Sequence, residues 1–183
     1  MMCGLATMKT APRISLSNVQ AVYGGPEGDL WELIMGEQIH LGGFQSSMAL
    51  AERAGIGAGQ SGVDLCCCTG AGMRFLVRFC HVAHMTGVDA TPLVLERGRQ
   101  RTAAAGLADR IEFREADVCA SGLAEAGVDF VWGEDAWCYV ADKRRLIAEA
   151  ARMVKAGGKI AFTDWVEGPT PLAESEAQRF LTF

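Results

Sequence analysis

The sequence predicts an α/β domain: a parallel sheet with helices on both faces. Short apolar runs of strand length recur along the chain, and segments of helical period separate them. That alternation, at this spacing, gives parallel strands covered by crossover helices. The third observation is local. Val63-Asp64-Leu65-Cys66-Cys67-Cys68-Thr69-Gly70-Ala71-Gly72 reads as a buried strand entering a tight turn of small residues and then a helix. Such a turn brings backbone N–H groups and a helix N-terminus up to a nucleotide-like ligand.

The elements follow in order. Up to Gly28 the chain reads as irregular, because Gly24, Gly25, Pro26 and Gly28 cluster without a period. A short helix covers Leu30 to Met35. Phe44, Met48, Ala51 and Ala54 recur at helical spacing, and Gly55 and Gly57 stop that helix. Strand one is Gly62 to Cys67, followed by a helix from Gly72 to Cys80; Val82 to Val88 is strand two. Thr91-Pro92 supplies an N-cap and a first helical residue for a helix to Ala105, closed by Gly106. Arg110 to Glu115 is strand three and Val128 to Trp132 strand four. Asp142 caps a helix whose apolar face is Leu146, Ile147, Ala150, Met153 and Val154. Gly158 to Thr163 is strand five, and Pro171 to Phe183 reads as one more helix.

Bulk properties exclude several classes. With 183 residues, half of them hydrophobic, the chain makes one domain with its own core. A net charge of −5 leaves no electrostatic footprint for nucleic acid or an anionic membrane. Arg97, Arg99 and Arg101 share their helix with Glu96 and read as a solvated face. No apolar run approaches the ~20 residues of a membrane span. Met1 to Arg13 lacks a signal-peptide core, so the expected compartment is cytoplasmic. Seven cysteines contain no C-x-x-C pair. Consecutive Cys66, Cys67 and Cys68 would point to alternating faces of an extended strand, so they read as reduced, buried thiols with no metal.

The motifs then narrow the chemistry. Asp89 closes the second strand, Asp117 closes the third, and Ala156-Gly157-Gly158-Lys159 opens the fifth. A dinucleotide G-x-G-x-x-G fingerprint would fall on Cys66, Cys68 and Ala71, so none of its glycines is present. One carboxylate at the end of each early strand, followed by a Gly-Gly strand entry, resembles the class I S-adenosylmethionine (AdoMet) methyltransferases. A subset of small-molecule N-methyltransferases, the sarcosine/dimethylglycine group, reads D-[VL]-C-C-G-x-G-G at the loop, and this chain departs at Cys68 and at Ala71-Gly72. Gly36-Glu37-Gln38-Ile39-His40-Leu41-Gly42-Gly43 is similar to that group's entry segment. Trp132-Gly133-Glu134-Asp135-Ala136-Trp137-Cys138 and Thr163-Asp164-Trp165 are similar to its segments after strands four and five. Cys68 is expected to keep a negative φ, with Gly70 and Gly72 making the turn.

The resemblance implies a Rossmann-like class I methyltransferase sheet, with residues 1–43 as an entry segment and 44–183 as the AdoMet-binding domain. Strands six and seven are missing from it, so the chain is expected to be a fragment of a longer protein, or else to have its fifth strand covered by a partner. It also implies S-adenosyl-L-methionine as cofactor. Asp89 would accept both ribose hydroxyls, with Ala90 beside it, and Asp117 the adenine amino group, with the Val118 amide nearby. Asp64 would orient the loop or the methionine ammonium, and the backbone of Cys66, Cys67, Cys68 and Gly70 would face the methionine portion. Glu134 would lie under the sulfonium. Asp89 also has a plainer reading as a turn residue before Thr91-Pro92, Asp117 as a strand-end residue and Asp64 as a purely structural one.

Transfer to a free amine requires positioning more than acid–base chemistry. An amine becomes cationic on transfer, which aromatic faces stabilise, so Trp31, Trp137 and Tyr139 are acceptor-pocket candidates; core packing is the alternative for Trp137 and Tyr139, and the expectation for Trp132. His40 and Gln38 share a face of the entry segment; either contacts the cofactor, or His40 deprotonates the acceptor. A structural surface role for His40 is the alternative, and Tyr139 is the second catalytic candidate. The reading is an N-methyltransferase for a small amine such as sarcosine or dimethylglycine, with a small-molecule acceptor and homo-oligomerisation left open. The alternatives are O- or C-methylation of a quinone or natural-product scaffold, a non-catalytic AdoMet-fold binding protein, and a nucleotide-dependent oxidoreductase.

Overall fold

The computed structural model describes residues 15–166 together with Gly168, Thr170, Ala173, Ser175 and Glu176. The expected helix at Pro171 to Phe183 lies almost wholly outside the described residues. Five strands form one parallel sheet in the order β3-β2-β1-β4-β5. They are β1 (Ser61–Leu65), β2 (His84–Asp89), β3 (Ile111–Glu115), β4 (Val128–Glu134) and β5 (Val154–Thr163). The order reverses between β1 and β4, and a ligand crevice opens beyond the strand ends at such a reversal.

Side-chain alternation decides what each face meets. From β1 and β4, Val63, Leu65 and Val131 pack on α6 (Lys143–Met153) through Leu146, Ala150 and Met153. Phe130 and Trp132 point the other way, into a core shared with α3 (Gly43–Ala54), α4 (Ala71–Phe79) and α5 (Pro92–Ala104). Trp132 is fully buried there, as expected. On α6 Ile147 is exposed, and the buried neighbour is Glu149, which accepts from the Ser121 amide and from Arg152. Among the described residues no helix is long and apolar enough to cross a membrane.

The irregular entry is corrected by the structure. Leu16–Gly24 forms a helix, α1, and Pro26–Met35 a second, α2. Ser15 caps α1 by accepting the Asn18 amide, with Asn18 answering as a capping box. The Gly-Gly-Pro cluster is a junction between helices: Gly25 ends α1 and caps α2, and Pro26 takes the first-turn position, where its missing N–H costs nothing. Arg97 and Arg101, read as a solvated face, dock this hairpin onto α5. Arg97 pairs with Asp29 at 2.6 Å, and Arg101 grips Glu32 with two bonds of 3.0 and 2.6 Å.

Candidate active site

Beyond the strand ends lies a cavity of about 320 Å³, within the range of small-ligand sites. Asp89, Ala90, Asp117 and Val118 are among the residues that line it. The roof is α1, which presents Leu16, Val19 and Tyr23 at i, i+3 and i+7, so one helical stripe faces the cavity. A smaller annex of about 60 Å³ adjoins it, bordered by Gln38, His40, Asp64, Cys67 and Gly72. Ile39, Cys66, Cys68 and Glu134 line both spaces.

The bend after β1 is built unlike the expectation. Cys68 has φ 48° and Cys66 φ 65°, both left-handed, whereas the glycine that turns is Gly70 at φ 74°. Gly72 lies inside α4. The physical reason is the neighbouring strand. The Cys66 and Cys67 amides both donate to the Val88 carbonyl, at 2.8 and 3.2 Å, and the Cys68 amide donates to Asp89 Oδ2 at 3.0 Å. Three anchored N–H groups in succession coil the chain, at a cost of about 1–3 kcal/mol for each strained residue. Burial pushes all three thiols up, Cys68 to about 12, so they are neutral small side chains here.

Asp64 is buried and Asp89 half-buried, whereas Asp117 is exposed. Asp89 accepts Cys68 N–H on one oxygen and Thr91 N–H (2.9 Å) on the other, and the Ala90 amide and Thr91 hydroxyl also bond to the carboxylate. Burial raises its pKa against those bonds. Asp117 Oδ1 accepts the Cys119 amide at 2.8 Å. Asp64 is pushed well above the usual carboxylate range by burial, then by Glu134 and Asp89. Burial also raises Glu134, with His40, Ser47 and Trp132 opposing. Gly72 packs closely on these groups: a Cβ there would meet Glu134 Oε2 tightly, at 3.0 Å, and Asp64 Oδ2 at an ordinary 3.6 Å.

His40 borders the annex but is held by the protein. Its Nε2 lies 3.1 Å from Ser47 Oγ and 3.4 Å from Glu134 Oε1, and its Nδ1 lies 3.2 Å from the Leu41 carbonyl. Gln38 donates to Ser47 at 2.7 Å while its own Oε1 is buried without a partner. An orphaned acceptor, two buried acids and a neighbouring helix N-terminus make the annex a place for an ammonium beside a carboxylate.

Of the aromatic candidates, Tyr139 lines the cavity, edge-on to Tyr23 at 5.9 Å. The two hydroxyls are hydrogen-bonded, and burial raises both. Trp137 lies beneath: buried, stacked on Phe162 at 4.5 Å, its Nε1 donating to the Leu65 carbonyl at 3.1 Å. Trp31 is half-exposed on α2 and lines neither space. Sequence reasoning missed Leu16, Val19 and Tyr23; the signal was the Ser15–Asn18 capping box ahead of an i, i+3, i+7 apolar stripe. It also missed Asp135, a cavity residue at φ 51° whose Oδ2 accepts the Leu41 amide at 3.0 Å.

The family model described as a methyltransferase domain matches residues 63–162. The chain belongs to this methyltransferase family. Its fold is that of the class I AdoMet-dependent enzymes, and the acids and small-residue bend of the cavity fit S-adenosylmethionine as cofactor. It is similar to the 27-O-demethylrifamycin SV methyltransferase of Amycolatopsis mediterranei, 27% identical across 82% of this chain and 60% of that one. With the dimethylglycine N-methyltransferase of Parasynechococcus marenigrum it shares 31% identity across 56% of this chain and 36% of that one. The Haemonchus contortus phosphoethanolamine N-methyltransferase 2, solved with phosphomonomethylethanolamine and S-adenosylhomocysteine, superposes with a TM-score of 0.79 at 25% identity. That match covers 88% of this methyltransferase chain and 38% of the other. The chain spans less than two-thirds of the length of the relatives it matches here.

Proposed function

We propose that this chain is the cofactor-binding part of an AdoMet-dependent methyltransferase that N-methylates a small amine. The observation that carries the reading is that Asp89 and Asp117 line a single cavity together with Cys66 and Cys68 of the strained bend. Asp89 would hold the ribose hydroxyls, Asp117 the adenine amino group, and Asp64 with Gln38 the methionine ammonium. The bound cofactor supplies an electrophilic methyl group for in-line displacement. The chain's own residues position the acceptor and exclude water.

The amine assignment draws on Tyr23 and Tyr139, with Glu134 and Asp135 on the same cavity: aromatic faces and carboxylates favour a cation forming at the acceptor nitrogen. Sarcosine and dimethylglycine are the acceptors implied by the resemblance. Among the described residues, Arg145 is the basic side chain lining the cavity, and it lies with Asp117, Cys119 and the α6 cap Asp142. Lys143 is spent on the Trp137, Cys138 and Val140 carbonyls, at 2.5–2.8 Å. O-methylation of an apolar scaffold is the second reading, favoured by the aliphatic roof of Leu16 and Val19. Cytoplasmic residence is part of the proposal and agrees with the free cysteines.

The test is calorimetric titration with S-adenosylhomocysteine and with a dinucleotide, then a radiolabelled methyl-transfer screen over small amines, phenols and quinols using the full-length protein. Binding of S-adenosylhomocysteine alone and label on amines is expected. Label confined to phenols or quinols would replace the amine reading with the second. Dinucleotide binding would overturn the cofactor.

A further inference from the structure

We propose that Glu134 is the residue by which this site distinguishes the cationic methyl donor from its neutral thioether product. The inference rests on the AdoMet reading above and adds a specificity determinant to it.

The geometry is that of a seam. The larger cavity carries Asp89 and Asp117, which suit an adenosine, and the annex carries Asp64 and the unpartnered Gln38 Oε1, which suit an amino-acid ammonium. The cofactor's sulfur is the covalent link between those two halves, so it must cross where the two spaces meet. Four residues line both: Ile39, Cys66, Cys68 and Glu134. One is aliphatic and two are thiols, so Glu134 is the carboxyl group among them, its pKa raised by burial and lowered by His40, Ser47 and Trp132.

The carboxylate is fixed for that task. Its side chain is 7% exposed. Oε1 accepts the Ser47 hydroxyl at 2.7 Å, Oε2 accepts Trp132 Nε1 at 3.1 Å, and His40 lies 3.4 Å away. These partners come from α3, β4 and the entry segment, and they hold the acid at the end of β4 facing Gly72. Donor and product both carry the ammonium, and they differ at sulfur by one positive charge. A carboxylate at the seam therefore favours the donor, and loss of that charge on transfer weakens the hold on the product.

The test is calorimetry of AdoMet and S-adenosylhomocysteine against wild type, Glu134→Gln and Asp64→Asn, each first shown to melt cooperatively. Glu134→Gln is expected to lower the donor-to-product affinity ratio about tenfold, as for loss of one close, partly desolvated charge pair, with product affinity within about threefold of wild type. Asp64→Asn is expected to weaken both ligands alike, leaving the ratio within about twofold, because the ammonium is common to them. An unchanged ratio in Glu134→Gln overturns the proposal. So does a ratio that collapses in Asp64→Asn, which would assign the discrimination to Asp64 and also decides the matter if Glu134→Gln does not fold. If wild type binds neither ligand, the AdoMet reading itself fails, and the inference goes with it.

Discussion

Cys66, Cys68 and Asp135 are non-glycine residues in left-handed backbone, and all three line the same cavity at the ends of the two central strands. Strain collected at one place is a mark of a site that the surrounding structure holds in shape. Cys68→Gly should remove the strain at the bend and raise stability by about 0.5–1 kcal/mol, net of glycine's greater unfolded-state freedom. The urea midpoint reads it; a lower midpoint would show that the thiol's packing outweighs the strain. A second residue-scale prediction concerns Glu149. Arg152, then Ser121, holds its carboxyl down to about 2 against the cost of burial. A depressed acid stabilises the fold above its unfolded pKa and loses that contribution as pH falls through the folded one. Glu149→Gln should therefore cost about 1–2 kcal/mol at neutral pH, and its gap to wild type should close between about pH 4 and pH 2. Denaturant titrations across that range check it. At this scale the sequence disclosed the acids by their strand-end positions. It concealed the bend, because the backbone angle of Cys68 is set by a carboxylate 21 residues away.

The five strands were legible as elements, four of them with ends within two residues and the fifth starting four residues too late, because each is a short apolar run between turn signals. The order β3-β2-β1-β4-β5 was not derivable from local pattern, and β5 begins at Val154, earlier than its glycines suggest. The missed element is α1. It has no buried residue, so its stripe reads weakly; what it covers is a ligand space instead of the core. Its partner α2 is docked by charge, with Arg101 and Glu32 in a two-bond pair of about 30% and 19% side-chain exposure. Arg101→Ala should loosen that hairpin by about 1 kcal/mol. Amide exchange in residues 16–35 should then rise about fivefold, with β1 and β4 unaffected. Uniform acceleration across the sheet would show that the hairpin and sheet open together.

At the scale of the whole molecule, the parallel sheet brings Asp64, Asp89 and Glu134 to one end, and burial raises all three. The sign follows from linkage. A raised acid favours the fold below its unfolded pKa, and that contribution is lost as pH rises through the folded value. A cationic ligand reverses the shift, so AdoMet binding should expel protons. Titrations in buffers of different ionisation enthalpy would reveal this, and identical heats in every buffer would mean that these acids do not face the ligand. The central claim is the cradle itself, and a co-crystal structure with S-adenosylhomocysteine tests it most directly. The account predicts ribose hydroxyls on Asp89 and the adenine amino group on Asp117, with sulfur beside Glu134. Density for the nucleoside anywhere else on the sheet would contradict it.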